Sequence, residues 1–306
     1  MAPALRCRLP GSFERSEGTD QLAELAFVII AHRNPHQLGR LVATLGAERT
    51  FVHLDSGLHS VDRQQLTFAA GPAALLPSHR SAWASWGIVA GILEGFNAAL
   101  ADSSLTHVCV LTGQDYPLVP VAYMESLLPE DISFTRSVPL PLSFYGRDGG
   151  LDRIQGLNWR VMGGRRLHVP VRRSIPEGLV PCASSPWSIY ARKHIFSLLD
   201  YADLHGRWWS HVWIPDEHFF ASVLGTRHRA ELLDFNPLYT EWTPGIPHPR
   251  TFASSDIPRL VQIRDRYVSN PPGRKWFARK FDDEDGDLLD QLSGELGRMP
   301  LTGQPL

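Results

Sequence analysis

The chain has 306 residues, of which 43% are hydrophobic and 20% are charged, and its formal net charge is −2. This composition is typical of a folded globular protein and excludes an intrinsically disordered chain. The nearly balanced charge argues against a nucleic-acid partner or an anionic membrane surface, and no apolar run is long enough to form a transmembrane segment.

Strand-like apolar runs and helix signals alternate along the first half of the chain. Asn34 and Pro35 form a cap and first-turn signal for a helix that follows the first apolar run. Apolar residues recur every four positions from 88 to 100, which predicts a long helix facing the core. Strands are predicted at residues 26–31 (AFVIIA), 50–55 (TFVHLD), 74–77 (ALLP) and 107–111 (HVCVL).

This alternation predicts an α/β fold with a mostly parallel central sheet that is flanked by helices on both faces. Sheets of this kind bind ligands beyond the carboxyl ends of their strands. The polar residues at those ends are His32, Asp55 and the turn 113–115, so we expect them on the nucleotide side of a site. Cys109 lies inside the fourth predicted strand and is expected to be a buried thiol.

The second half of the chain begins with an irregular, basic segment. Seven arginines lie between residues 147 and 173, which predicts either a solvated loop or a mobile cover over the substrate. Regular structure is predicted to return as a strand and helix within 185–202, a helix within 213–224 and a surface helix within 282–296. We infer one domain at 25–297, between flexible tails at 1–24 and 298–306.

Several familiar motifs do not occur in the sequence. There is no GxGxxG after the first strand, no GxxxxGK[ST], no HExxH and no GxSxG. The three cysteines are widely spaced, so neither a disulfide framework nor a cysteine metal site is expected. His211, Asp216 and His218 match no standard spacing of metal ligands. Asp-x-Asp occurs only at 283–287, where acids also suit the start of the last helix.

The segment WIPDEHFFASVL (213–224) places two carboxylates between an apolar run and an apolar helix. Pro215 suits the first turn of a helix, and acids near a helix N-terminus are stabilised by its dipole. Asp216 and Glu217 therefore have two interpretations, helix capping or catalysis at the floor of a cleft. An ionised glutamate is a competent general base at neutral pH.

Eight blocks follow one another between about residue 26 and residue 290: VIIAHRNPHQLGRL, VHLD, WASWGIVAGIL, VLTGQDYPL, SPWSI, PDEHFF, HPRTF and FARKFD. The most specific are GQDYPL and FARKFD, with PDE between them. In this order the blocks resemble the core-2/I-branching β-1,6-N-acetylglucosaminyltransferase and protein O-xylosyltransferase family, glycosyltransferase family 14. FARKFD resembles the xylosyltransferase branch more closely.

The resemblance implies a GT-A-type α/β fold and an inverting, metal-independent glycosyltransferase without a cofactor. Such an enzyme moves N-acetylglucosamine or xylose from a UDP-sugar donor to an acceptor hydroxyl and forms a β-linkage. By match to PDE, Glu217 would be the general base that deprotonates the acceptor. The residues that would neutralise the leaving diphosphate are Arg250, Lys280 and, beside Lys280, Arg279.

The resemblance also implies contacts to the rest of the donor and to the acceptor. For two of the candidates a structural role is the alternative. Asp115 could equally well close the turn before Pro117, and Asp216 could cap the helix that follows the PDE segment. The nucleotide-sugar candidates are Ile30, Ala31, His32, Asp55, Ser56, Trp83 and Asp115. The acceptor candidates are Asp216, Trp187 and Ser188.

The sequence departs from the animal members of that family, which have a membrane anchor, a stem and many cysteines. Golgi residence and a glycoprotein acceptor therefore do not carry over. We expect a bacterial-type cytoplasmic enzyme, free or peripheral at the inner face of the membrane, that acts on a glycan, lipid-linked or small-molecule hydroxyl. Two alternatives stay open: a non-catalytic glycan- or nucleotide-sugar-binding module, and a metal-dependent transferase that uses the acids at 283–287.

Overall fold

The computed structural model describes most of the chain. The described residues are 23–146, 148–160, 166–246, 248–265, 268–269, 272–273 and 275–296. Residues 1–22 of the predicted N-terminal tail, which include Cys7, lie outside them, as do the predicted C-terminal tail and part of the arginine-rich segment.

Helices and strands alternate in the first half, as the sequence predicts. The helices are α1 Pro35–Leu45, α2 Ser60–Ala70, α3 Trp86–Ala99, α4 Val121–Ser126, α5 Leu151–Gln155, α6 Arg192–Trp209, α7 Phe219–Arg227, α8 Ile257–Asp265 and α9 Gly286–Leu296. The strands are β1 Leu25–Ala31, β2 Thr50–Leu54, β3 Ala74–Leu75, β4 His107–Thr112, β5 Asp115–Pro117, β6 Ser133–Phe134, β7 Val138–Pro139, β8 Gly156–Arg160, β9 Arg166–Arg172, β10 Cys182–Ala183, β11 Ile189–Ala191, β12 Leu232–Leu233, β13 Leu238–Thr240, β14 Val268–Ser269, β15 Pro272–Gly273 and β16 Phe277–Arg279.

A seven-stranded sheet in the order β12–β6–β11–β4–β1–β2–β3 forms the centre of the molecule. Strand β1 pairs in parallel with both β2 and β4. Strand β11 is antiparallel to both of its neighbours, β4 and β6. The other neighbouring pairs are parallel. The prediction of a mixed, mostly parallel α/β sheet is confirmed.

Strand β1 separates two hydrophobic cores, one on each face of the sheet. Leu25, Phe27 and Ile29 pack into the core that contains side chains of α1, α2 and α9. Ala26 and Val28 point to the opposite face, whose core contains side chains of α3, α6 and α7. Because helices cover both faces, every position of β1 is buried, and the strand is a continuous apolar run rather than an alternating one.

Helix α3 packs closely against β1. Ile88, Ile92 and Phe96 are buried along the face that the four-residue repeat predicts. Gly95 faces the strand, and a Cβ atom there would lie 2.5 Å from both γ-methyl groups of Val28. The absence of a side chain at Gly95 therefore permits the close approach of helix and strand.

A second, three-stranded sheet in the order β13–β16–β5 adjoins the carboxyl end of β4. Strand β5 follows β4 after a two-residue turn and pairs with β16, which comes from the FARKFD block. The antiparallel register sets Arg279 opposite Asp115. This small sheet thereby brings the C-terminal basic block to the ligand-binding edge of the central sheet.

Three local predictions are corrected by the structure. Asn34 precedes α1 in a left-handed conformation and makes no side-chain cap hydrogen bond, although Pro35 does begin the helix. The helix predicted within 213–224 is present as α7 but begins only at Phe219, because a 3₁₀ turn at Pro215–Glu217 precedes it. The arginine-rich segment contains an antiparallel pair, β8 and β9, where a loop was predicted. Over the described residues, no helix is long and apolar enough to cross a membrane.

Candidate active site

The carboxyl ends of β1, β2 and β4 meet at one edge of the central sheet. The Asp55 N–H donates to the Ala31 carbonyl at 3.3 Å, and the Gly113 N–H donates to the Ile30 carbonyl at 3.1 Å. Asp55 Oδ1 accepts the Gly57 N–H at 2.7 Å and so closes a tight turn. Ser56 is exposed beside it. Ile30 and Ala31 are buried, so they can contribute only backbone groups to this edge.

Basic side chains gather at the same edge. The electrostatic neighbours of His32 include Arg33, Asp55 and Lys280, and desolvation followed by the charge of Arg33 lowers the pKa of His32. Arg33 donates to Gln114 Oε1 from Nε at 3.1 Å and from Nη2 at 2.9 Å. The sequence prediction missed Arg33, although it directly follows His32 in the AHRNPH run.

Asp115 and Arg279 form a buried ion pair. Arg279 donates to both carboxylate oxygens of Asp115, at 2.5 and 2.7 Å. Asp115 also accepts the Thr112 N–H at 2.8 Å, which closes the turn after β4. The Asp115 side chain is 0% exposed, and the guanidinium group of Arg279 lies 4.5 Å from the Trp187 ring centre. This geometry favours the turn-closing role of Asp115 and leaves Arg279 already neutralised.

Lys280 is next to this pair but makes no such contact. Among the described residues, its ammonium group has no hydrogen bond or ion pair; its carbonyl accepts the Phe252 N–H at 2.8 Å. Desolvation lowers the pKa of Lys280, the charges of Arg33 and Arg279 lower it further, and the charge of Asp282 opposes them. A partly desolvated cation among other cations is a site that an anionic ligand would stabilise.

The side chain of Arg250, in contrast to that of Lys280, already forms ion pairs. Its guanidinium group donates to Asp256 at 3.0 and 2.5 Å, and it lies 3.3 Å from the carboxylate of Glu241. Glu241 is shared with Arg259, which lies 3.0 Å from its other oxygen, and the pKa of Arg250 is raised by the bond to Asp256. The role of Arg250 at the diphosphate stays a prediction, and Lys280 is the candidate that forms no ion pair within the described residues.

The PDE segment forms a strained turn that presents Glu217. Ile214 has φ 55° and ψ 58°, a left-handed conformation that is costly for a β-branched residue. The 3₁₀ turn begins at Pro215, and neither it nor α7 receives a side-chain cap hydrogen bond. The predicted capping role of Asp216 is therefore wrong. Asp216 Oδ1 is buried without a hydrogen-bond partner, and burial followed by repulsion from Glu217 raises the pKa of Asp216 to about 7.

Glu217 presents its carboxylate to solvent with 40% of its side chain exposed. The Tyr145 hydroxyl donates to Glu217 Oε2 at 2.5 Å, and Arg153 Nη1 lies 3.4 Å from the same oxygen. Sequence reasoning missed both partners. Arg153 lies in the arginine-rich segment, which is only a weak indication of a functional role. Tyr145 lies 72 residues before Glu217, and no sequence pattern pointed to it.

One loop connects the Glu217 side of the site with the basic side. The Ser184 N–H donates to the Glu217 carbonyl at 2.9 Å, and three residues later the Trp187 ring contacts the guanidinium group of Arg279. Three residues of chain span at most about 11 Å, which limits the distance between the Ser184 and Trp187 backbones. Ser188 is buried and donates its hydroxyl to the Ser185 carbonyl at 3.2 Å, and its acceptor role stays a prediction.

Trp83 adds an exposed aromatic surface near the PDE turn. Its ring packs edge-on against Trp213 with the ring centres 5.3 Å apart, and 68% of Trp83 remains exposed. Trp213 directly precedes the strained Ile214. An exposed aromatic ring of this kind is suited to stacking on a sugar or a base.

Two of the acids at 283–287 that could serve a metal ion have other partners. Asp283 accepts the Gln37 N–H at 2.7 Å, at the start of α1, and Asp285 accepts the Ser254 N–H at 2.7 Å. Within the described residues, one group has metal-compatible spacing: His194, His228 and Glu231, on α6 and after α7. Both histidines already contact Glu231 Oε2, at 2.9 and 3.1 Å, and Lys193 contacts its other oxygen at 3.1 Å.

Residues 25–264 match the family model described as Branch: Core-2/I-Branching enzyme. The chain belongs to this family. The resemblance inferred from the sequence is confirmed, and the protein is a glycosyltransferase with a sugar donor and an acceptor. The matched region includes Glu217 and Arg250 but ends before Arg279 and Lys280.

Two further comparisons add little to this assignment. No curated protein matches the chain. Among solved structures, the chain is similar to a cytidylyltransferase from Leptospira borgpetersenii serovar Hardjo-bovis, with 13% identity and a TM-score of 0.29. That similarity covers 57% of this chain and 63% of the cytidylyltransferase, less than two thirds of its length. It carries no argument about function.

Proposed function

We propose that this glycosyltransferase moves N-acetylglucosamine or xylose from a UDP-sugar to an acceptor hydroxyl by a single inverting displacement that forms a β-linkage and needs no metal. One observation carries the proposal. The 184–187 loop bonds the Glu217 backbone at Ser184 and contacts Arg279 at Trp187, and so links a partly exposed carboxylate, Glu217, with Lys280, a cation that forms no ion pair within the described residues. An inverting transfer needs a base and a cationic group at opposite faces of the sugar.

Glu217 is suited to the base side of this reaction. Its carboxylate is held by Tyr145 and Arg153 through Oε2, and Oε1 accepts no hydrogen bond from a described residue. The acceptor hydroxyl would give its proton to Glu217 while its oxygen forms a bond to the anomeric carbon. A positioned general base typically contributes about 10²–10⁴-fold to the rate.

Lys280 is suited to the leaving-group side. As the bond between the anomeric carbon and the phosphate oxygen breaks, negative charge builds on the departing UDP. A fixed cation stabilises this charge without reorganisation at the moment of reaction. His32 and Arg33 lie beside Lys280 and would add to the positive potential, whereas Arg279 would act mainly by holding Asp115 and Trp187.

The rest of the donor would lie over the carboxyl edge of the sheet. Asp55 and Ser56 are the proposed nucleotide contacts, with the backbone of residues 30–31, and Trp83 is the proposed stacking surface. Trp187 and Asp216 stay acceptor-side proposals. We also propose a GT-A-type fold, because a mostly parallel sheet with an antiparallel strand beside β4 is compatible with it. The cytoplasmic location and the acceptor class stay predictions.

Glu217→Gln tests the base. The amide keeps the shape of the side chain but cannot take a proton, so we expect turnover to fall by at least about 10²-fold while UDP-sugar binding is retained. The measurements are a transfer assay and a thermal-shift titration with the nucleotide sugar. The matched control is Glu125→Gln, which removes a carboxylate that binds Arg49 at the opposite edge of the sheet. Turnover of Glu217→Gln within twofold of the unmodified enzyme refutes the assignment.

A chelator separates this mechanism from a metal-dependent transferase. We expect turnover to persist after extensive dialysis against EDTA. Loss of turnover with EDTA and recovery with Mn²⁺ would instead favour a catalytic metal, with the acids at 283–287 as the first candidates. A non-catalytic binding module would bind UDP-sugars but transfer no sugar to any acceptor and release none to water.

A further inference from the structure

The two oxygens of the Glu217 carboxylate have unequal surroundings. Oε2 accepts the Tyr145 hydroxyl hydrogen at 2.5 Å and lies 3.4 Å from Arg153 Nη1. Oε1 accepts no hydrogen bond from any residue within the described part of the chain. A carboxylate that is held through one oxygen cannot rotate freely, so the direction of its other oxygen is fixed as well.

The Tyr145 side chain is itself held by three neighbours. The guanidinium carbon of Arg153 lies 3.9 Å from the centre of the Tyr145 ring, a cation–π contact. The His218 ring packs against the same ring at 5.9 Å. Gly150 is the third neighbour. A Cβ atom there would lie only 2.4 Å from the Tyr145 ring, so the absence of a side chain leaves room for the ring.

The backbone beside Tyr145 explains the two glycines of the sequence DGGLDR (148–153). Gly149 and Gly150 have φ values of 60° and 92°, in the left-handed region that disfavours side chains. They lead directly into α5, whose third residue is Arg153. The Arg153 carbonyl accepts the Trp213 N–H at 2.9 Å, which ties this short helix to the chain before the PDE turn.

We propose that Tyr145 and Arg153 are positioning residues that hold Glu217 Oε2 and leave Oε1 to take the proton of the acceptor hydroxyl. This inference rests on the proposed function, because it assigns partners to the proposed base. Neither residue touches the transferred sugar in this mechanism. Their contribution is to fix the carboxylate in one orientation, which lowers the entropic cost of the productive geometry.

Burial sets the protonation states of the groups around Glu217. Burial followed by the charge of Glu217 raises the pKa of Asp216 to about 7. Burial also lowers the pKa of His218, which has Asp152 as an electrostatic neighbour, to about 4, so His218 is neutral at pH 7. The pKa of Tyr145 is raised by burial and by Glu217, so its hydroxyl stays protonated and donates to the Glu217 carboxylate.

Tyr145→Phe is the most direct test, because it removes one hydroxyl group and keeps the ring. Loss of a hydrogen bond to a charged group corresponds to about a 10–100-fold loss, expected here in kcat with little change in the acceptor KM. A purely structural role would instead lower the melting temperature and leave the kcat and the acceptor KM of the folded enzyme unchanged.

Tyr239→Phe is the matched control. Tyr239 also donates to a carboxylate, Glu241, at 2.7 Å, but lies in the small sheet away from the PDE turn. Arg153→Lys should recover part of the turnover that Arg153→Gln loses, because a cation can still approach Oε2. The control for these charge changes is Arg136→Gln, which breaks an exposed pair with Asp234.

The outcomes separate this inference from the proposed function. If Glu217→Gln abolishes transfer while Tyr145→Phe keeps the kcat of the unmodified enzyme, the positioning role is refuted and the base is retained. If Glu217→Gln is active, the proposed base is refuted and the positioning role falls with it. A fall in kcat at an unchanged acceptor KM in Tyr145→Phe, absent from Tyr239→Phe, supports the inference.

Discussion

Arg279 and Lys280 are adjacent basic residues, and the structure predicts opposite consequences for their removal. Arg279 is 12% exposed and binds both oxygens of Asp115, whose side chain is completely buried. Arg279→Ala would leave that carboxylate without its cation in the interior, a change that typically costs about 3–5 kcal/mol. Lys280→Ala removes a cation that has no anionic partner among the described residues, so no ion pair is lost.

The difference should be visible in thermal unfolding. A chain of 306 residues has an unfolding entropy of about 0.6 kcal/mol/K, so 3–5 kcal/mol lowers the melting temperature of Arg279→Ala by about 5–8 °C. The native state lowers the pKa of Lys280, which means that it disfavours the charged lysine at neutral pH. The melting temperature of Lys280→Ala should therefore stay the same or rise slightly.

Binding of UDP should show the reverse pattern. Loss of one charged contact weakens UDP binding to Lys280→Ala by about 10–100-fold, measured by calorimetry at fixed ionic strength. The transition state carries more charge on the departing phosphate, so kcat should fall further, by about 10²–10³-fold. A Lys280→Ala protein that is destabilised by several degrees but binds UDP normally would refute the reasoning and move the diphosphate site elsewhere.

Two further predictions concern the Glu217 side of the site. Because the fold raises the pKa of Asp216 to about 7, the native state loses stability as the pH rises from about 4 to 7. Asp216→Asn should therefore raise the melting temperature at pH 8 and change it little at pH 4; an equal shift at both pH values contradicts this. Gly150→Ala should displace Tyr145 and lower kcat at least as much as Tyr145→Phe, whereas Gly178→Ala, with φ 75° and open space, should leave kcat unchanged.

Much of the fold could be predicted from local patterns. The continuous apolar run of β1 and the four-residue repeat of α3 follow from burial on both faces of a sheet. Burial of this kind is visible in the sequence as a regular pattern of apolar residues. Local patterns could not show whether Asp216 caps a helix. Whether an acid beside a helix caps it depends on the backbone angles of its neighbours, and the left-handed Ile214 redirects the turn.

The candidate site was predictable in part. The order of the sequence blocks identified the family and Glu217. It could not show which basic side chains form ion pairs in the folded protein. Lys280 and Arg250 look equivalent in sequence, and only the positions of Asp256 and Glu241 separate them. The positioning pair Tyr145 and Arg153 left no recognisable motif.

By itself, the sequence determined the alternation of elements, the family and the residue proposed as the base, because these depend on local composition and on blocks in a fixed order. Tertiary structure decided which charges are paired. The Arg279–Asp115 pair joins residues 164 positions apart, and the Tyr145–Glu217 hydrogen bond joins residues 72 apart. Such contacts depend on strand register and on turns with left-handed backbone, and the identity of either residue alone does not encode them.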